Sequence, residues 1–269
     1  MTHLKKFTLA GLLMASTISA QAAPIDLSSW SASTLDFAGG QAAGNWELEA
    51  GNTVVVQTLN ADPSFYLNNL NQTQYSMDGT WEVTTTADDD YMGFVFGYQN
   101  SSNFYLFDWK QGNQSYEGTY ANEGMTIKKF EGPTDDGLTD LSLAKLWENE
   151  DDMDYMTVLA TNHSNTNGWA DNAVYNFHLD FNLNPGEVSI VIMQGLTELW
   201  NVTLNDMTFT SGEFGFYNYS QEKVKYAGFE QSGGVVVPDP TNLPEPTTLV
   251  LLGLGLAGLG MSRRRKSAR

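Results

Sequence analysis

Three consecutive carboxylates, Asp88, Asp89 and Asp90, stand directly before the apolar run 91–98 and are the residues best suited to chemistry in this chain. Alternate residues of an extended chain point to opposite sides, so Asp88 and Asp90 share one side. Like charges held together are costly unless a cation neutralises them. The same triplet also reads as a solvated charged turn ahead of a strand. Asp108 interrupts the apolar run 104–109, either as a metal ligand at the strand's exposed end or as a solvent-facing edge residue. His163 and His178 are the histidines of the central region, but no Gly-x-Ser-x-Gly elbow accompanies them. With no cysteine in the sequence, zinc–thiolate, iron–sulfur and cysteine-nucleophile chemistry are excluded.

Carboxylate pairs for glycoside hydrolysis are weak. Retaining glycosidases need two carboxyl groups about 5–5.5 Å apart, supplied on a β-scaffold by an acid–apolar–acid–apolar–acid strand. Glu47-Leu48-Glu49 begins that pattern and breaks at Ala50-Gly51. Glu148, Glu150 and Asp152 alternate, but Asn149 and Asp151 leave no apolar face, so the stretch reads as a solvated acidic loop.

The elements that must position the triplet are strands. Short runs rich in Tyr, Phe, Trp, Val and Thr alternate with Asn, Asp, Gly and Ser clusters. Strands are expected at 52–59, 80–86, 91–98, 103–110, 125–130, 173–181, 187–193, 198–204, 212–217 and 224–229. Residues 99–102 make the clearest hairpin turn. One short helix is expected around Leu143, Leu146 and Trp147, capped by Asp140 or Ser142.

The two ends have another character. Lys5 and Lys6, an apolar stretch and the small-x-small exit Ala20-Gln21-Ala22 make residues 1–22 a secretory signal peptide. At the other end Pro244-Glu245-Pro246 precedes a charge-free apolar stretch, then Arg263, Arg264, Arg265 and Lys266. Residues 247–262 are a short candidate membrane segment, with the basic cluster holding the cytoplasmic side. Residues 232–243 read as a linker. Seven of the 13 basic residues but only one of the 32 acidic residues lie in these ends, which leaves the central region near −25. That charge disfavours nucleic acid and favours bound cations. Calcium, which takes many hard oxygen ligands, is the expected cofactor.

Two resemblances sharpen this reading. Pro-Glu-Pro, the apolar stretch and the Arg-rich tail over 244–269 resemble the PEP-CTERM sorting signal, which implies an exosortase as partner and transient membrane insertion. Asp88-Asp89-Asp90-Tyr91-Met92-Gly93-Phe94-Val95-Phe96-Gly97-Tyr98-Gln99, then Phe104-Tyr105 and Trp109-Lys110-Gln111, resemble the C-terminal domain of thrombospondins. Leu146-Trp147, Gly168-Trp169 with Asp171, and Gly215-Phe216 with Ser220-Gln221-Glu222 agree in order. The resemblance covers residues 23–231 and implies an all-β, two-sheet jelly-roll sandwich of the concanavalin A lectin and glucanase type. It implies calcium binding and adhesion; the ligands expected are Asp88, Asp89, Asp90 and Asp171, with Asp108 as the open candidate above and Asn165 and Asn167 offering carbonyl oxygens in the loop before Gly168. The family's usual cysteine is missing here, and its Asp ahead of Gly-Trp is His163 or Ser164. The resulting expectation is an exported, non-catalytic module for the cell surface or matrix, contacting polysaccharide or a surface protein. A glycoside hydrolase on the same fold is the alternative.

Overall fold

The computed structural model describes residues 24–233 apart from 117 and 207. The expected signal peptide, membrane segment and sorting signal, and most of the expected linker, lie outside them. Sixteen strands occur among the described residues. They are β1 (Ser31–Thr34), β2 (Trp46–Leu48), β3 (Val54–Gln57), β4 (Ser64–Leu67), β5 (Tyr75–Val83), β6 (Tyr91–Asn100), β7 (Asn103–Lys110), β8 (Gln114–Tyr116), β9 (Thr119–Ala121), β10 (Gly124–Glu131), β11 (Met156–His163), β12 (Val174–Phe181), β13 (Glu187–Gln194), β14 (Thr197–Asn205), β15 (Glu213–Tyr219) and β16 (Val224–Gly233). Two short helices, α1 (Gly137–Asp140) and α2 (Leu143–Trp147), lie between β10 and β11. The first sheet runs β1-β4-β15-β6-β7-β10-β11 and the second β14-β13-β12-β5-β16-β3-β2, each of seven strands, with antiparallel pairing throughout. The expected two-sheet jelly-roll is the fold observed.

Alternation places the core. Met92, Phe94 and Phe96 of β6, with Tyr105, Phe107 and Trp109 of β7, meet Trp81, Phe177 and Phe229 from the second sheet. Phe94 stacks on Phe107 and Phe177, each with ring centroids 4.8 Å apart. Burying such a side chain is worth about 1.5–3 kcal/mol. The opposite face of these strands is not solvated. Two segments, 112–123 and 132–153, fold over it. Leu141, Leu146 and Trp147 from this cover make a second core with Tyr91, Val95, Leu106, Phe130 and Tyr217. Burial on both faces explains why β6 and β7 read as near-continuous apolar runs. It also corrects the solvated-loop reading of residues 148–152 at its first two positions, while Glu150, Asp151 and Asp152 are exposed as expected. Glu148 and Asn149 are buried, and Asn149 accepts from Asn122 N (2.8 Å) and donates to Asn122 O (2.9 Å).

Most expected strands are present with shifted ends, and β1, β2, β4, β8, β9 and β11 lie outside every expected range. Five of these have only three or four residues, too few to display a period. In β11 a register shift opposite Ile127 and Lys128 breaks the alternation. The expected strand at 80–86 is the C-terminal half of β5, which starts at Tyr75. β16 runs to Gly233, so the first two residues of the expected linker belong to the sheet. Ser142 is the cap of α2, accepting from Lys145 N at 3.2 Å, while Asp140 ends α1. The β6–β7 turn closes through Asn100 Oδ1, which accepts from Ser102 N (2.9 Å).

Candidate cation site

β5 belongs to the second sheet and β6 to the first, so the chain must cross between the layers over residues 84–90. The triplet ends that crossing, and its backbone is held from three directions. Asp90 N donates to Gln221 Oε1 (2.9 Å), Trp169 Nε1 donates to Asp90 O (3.1 Å), and Gln111 N donates to Asp89 O (3.2 Å). Asp90 is buried, and Asp88 and Asp89 are half-buried. One carboxylate oxygen from each lies within 4.8 Å of the others. Two oxygens on one calcium ion are at most about 5 Å apart, twice the usual contact distance. A cleft of about 340 Å³ opens beside Thr86, Ala87, Asp88, Asp89 and Gln111.

The electrostatics of the cluster show an excess of negative charge. Burial and the facing Asp90 carboxylate push Asp88 up to about 7. Asp88 receives Asn60 Nδ2 (2.6 Å) and its neighbour Asp89 N (3.2 Å). Lys110, at the end of β7 and fully buried, donates to Asp90 Oδ1 (2.7 Å) and to Asp89 O (2.8 Å). Three carboxylates against one ammonium leave the cluster short of positive charge, and its outward donors are all oxygen. These residues fit a hard divalent cation.

The other expected ligands are placed differently. Asp171 is the nearest in linkage, its Oδ1 accepting from Gln111 Nε2 (3.1 Å). Asn165 and Asn167 belong to a separate hydrogen-bonded turn. Asn165 Oδ1 accepts from Asn113 Nδ2 (3.0 Å), and Asn167 O accepts from Trp109 Nε1 (2.6 Å). Of the two residues standing for the family's Asp, His163 closes β11 against Thr126 Oγ1 (2.9 Å) and Ser164 Oγ bonds Thr166 Oγ1 (3.1 Å).

Asp108 requires a correction. It is neither at an exposed strand end nor at a solvent-facing edge. It has no exposed surface, and its Oδ2 lies 2.7 Å from Lys128 Nζ, which is equally buried. Alternation on β7 sends it beneath the cover, where Lys128 Nζ also donates to Leu146 O (2.9 Å) and lies over the Tyr91 ring. Burial outweighs the attraction to Lys128 and pushes the Asp108 carboxyl up to about 6. No hydrogen bond from the described residues reaches its Oδ1.

Sequence reasoning missed Lys110, Gln111, Gln221, Asn60 and Trp169 as residues that build the site. Trp109-Lys110-Gln111 was visible as a motif, but its role is set by the β6–β7 register, which pairs Lys110 with Tyr91. Gln221 and Trp169 likewise stood in motifs of the resemblance without a role at the site, and Asn60 arrives from the β3–β4 connection with no local signal.

A separate pocket of about 200 Å³ lies where Trp109, Tyr175, Asn167 and Gly168 meet Gln194 and Leu199. It has no charged side chain in its lining. The remaining aromatic residues serve mainly the two cores.

The profile of the thrombospondin C-terminal region matches residues 41–232, and that of the PEP-CTERM protein-sorting motif matches 242–266. Thrombospondin-3b of Danio rerio is 30% identical over 201 residues, covering 72% of this chain and 21% of that protein. Thrombospondin-2 of Gallus gallus is 31% identical over 189 residues, covering 68% and 16%. Cartilage oligomeric matrix protein of Bos taurus is 30% identical over 202 residues, covering 72% and 26%. The chain thus spans about a fifth of the length of the curated relatives it matches. Among solved structures, a carbohydrate-binding module from Bacillus subtilis aligns with a TM-score of 0.47 at 12% identity, covering 75% of this chain and 95% of that one. Peanut lectin aligns at 0.46 and 8% identity, covering 73% and 91%.

Proposed function

The chain belongs to the thrombospondin C-terminal family, and from that premise we propose that it is an exported, non-catalytic, calcium-binding module of the cell surface or extracellular matrix. The observation that carries the reading is the convergence of one carboxylate oxygen from each of Asp88, Asp89 and Asp90 within 4.8 Å, where burial and then the facing Asp90 carboxylate push Asp88 up to about 7. Asp88, Asp89 and Asp90 would hold the ion through carboxylate oxygens, with Asp171 close by through Gln111. When bound, calcium would supply the positive charge that the loop lacks.

The sorting motif supports export and surface association, with an exosortase as the processing partner. Polysaccharide or a surface protein is the ligand class proposed for the domain. The uncharged pocket beside Trp109 and Tyr175 supports a neutral sugar over an acidic one, which a surface near −25 would repel. A binding role over a hydrolytic one is supported by where the alternative's carboxylates lie. Glu49 pairs with Lys225 (3.0 Å), and Glu148 Oε1 accepts from Glu150 N (3.0 Å) within its own loop.

The test compares calcium and magnesium at matched ionic strength by thermal melting of the native chain and of Asp88→Asn, Asp89→Asn and Asp90→Asn. An ion at a hundredfold excess over Kd stabilises by about 2.7 kcal/mol, or roughly 5–10 °C at this size. Magnesium, with its stricter octahedral demand, should stabilise less. Equal responses to both ions, unchanged in all three variants, would mean charge screening rather than a site.

A further inference from the structure

The side chain of Lys110 reaches two parts of the molecule at once, the triplet and the cover. Its ammonium has three donors. Two point at the triplet, reaching Asp90 Oδ1 at 2.7 Å and Asp89 O at 2.8 Å. The third leaves the site and reaches Gln114 Oε1 of β8, at 2.8 Å, in the cover. The same nitrogen lies 5.0 Å from the Trp147 ring of α2 and 5.8 Å from Tyr91. Gln114 and Trp147 are themselves connected, because Trp147 Nε1 donates to Gln114 O (3.3 Å). Trp147 O accepts from Tyr91 OH (2.6 Å), the first residue of β6 after the triplet. A buried ammonium thus sits between the candidate ligands on one side and an amide oxygen and an indole face on the other.

We infer that Lys110 couples the cation site to the cover, so that occupancy of the Asp88–Asp89–Asp90 cluster tightens β8, β9 and α2 over the first sheet. This rests on the cation reading above. Lys110 is also the residue that sets the charge of the site, since three carboxylates and one ammonium leave a deficit of two, matched to a divalent ion. Carboxylates drawn toward a second cation hold Lys110 Nζ less strongly, and two positive charges in a half-buried site repel. Lys110 has a place to shift its weight, toward Gln114 Oε1 and the Trp147 face, where cation–π attraction grows with desolvation. The signal therefore has a sign: the cover becomes more ordered when the site is filled.

Hydrogen exchange of the full chain, with and without calcium, reads the coupling, and calorimetric titration with calcium reads binding separately. In the native chain, amide exchange in β8, β9 and α2 should slow several-fold with calcium, while β13 and β14 at the far edge of the second sheet stay unchanged. Gln114→Leu leaves every candidate ligand in place. It should bind calcium within about threefold of the native chain, a difference under ~0.7 kcal/mol, and lose the slowing in the cover. Lys110→Met should bind calcium about tenfold more tightly or better, because the competing charge is gone, and its cover should not respond. If Lys110→Met does not fold, Gln114→Leu decides alone. Calcium binding without any change in the cover, or a full response retained in Gln114→Leu, overturns the coupling and leaves the cation reading standing. Absence of calcium binding in the native chain overturns both.

Discussion

The Asp108–Lys128 pair sets up a sharp test of how this molecule tolerates buried charge. Both side chains lack exposed surface and meet at 2.7 Å. The carboxyl is nonetheless raised from 3.8 to about 6. A shift of that size corresponds to roughly 3 kcal/mol of net penalty on the ionised form at neutral pH. Desolvation thus exceeds what the partner returns. Lys128→Met removes the partner and keeps the penalty, so it should cost about 3–5 kcal/mol, which is roughly 6–20 °C of melting temperature at this size. The sign with pH follows. Asp108 binds a proton more readily folded than unfolded, so the loss in Lys128→Met should shrink as pH falls from 8 toward 5.5. The double variant Asp108→Leu/Lys128→Met should restore native stability or exceed it by about 1–3 kcal/mol, because similar apolar volume replaces two desolvated ions. Urea denaturation of the four proteins gives the cycle. If Lys128→Met costs under ~1 kcal/mol, or the double variant is as unstable as the two single losses added together, the premise that the pair is a net burden held by geometry is refuted.

Other outcomes follow from the same structure. Asp88 is raised in the folded state, so without calcium the melting temperature should rise as pH falls through 7, and Asp88→Asn or added calcium should flatten that slope. His178 lies between Asp78 (2.8 Å from Nδ1) and Asp180 (3.1 Å from Nε2). Burial opposes its protonation, but the two carboxylates outweigh it and raise its pKa. Its contribution should be fully present below about 6.5 and fade as pH rises through the folded value. An imidazole titration by NMR that falls below the free value would contradict this. A Cβ added at Gly93 would lie 2.0 Å from Phe107 O, so Gly93→Ala should cost at least the ~1–3 kcal/mol of overpacking, read from the urea midpoint. An unchanged midpoint would show that β6 and β7 can separate without loss. Protein recovered from the cell surface should begin near Ala23 and lack the Arg-rich tail, and a mass that retains Met1 or Arg269 would refute processing at that end.

The sequence alone determined what is local. The alternation of Phe94 and Phe96 with Val95, the turn chemistry of Asn100 to Ser102, the helical spacing of Leu143, Leu146 and Trp147, and the adjacency of three Asp residues are all properties of neighbouring positions. They were legible because strand, turn and helix each impose a period shorter than the segment that carries it. The structure decided what depends on partners. Nothing near Asp108 announces Lys128; the two meet because β7 and β10 pair in a register that places Leu106 opposite Lys128 and Thr126 opposite Asp108. Nothing near Glu148 and Asn149 announces their burial, because a side chain's environment is set by whether another layer closes over it. Lys110 shows the same division: its side of β7 follows from alternation, but its place between Asp90 and Gln114 follows from the packing of the cover on the first sheet. The long-range contacts that assign a charged group its partner are formed by register and layer stacking, and no local period encodes them.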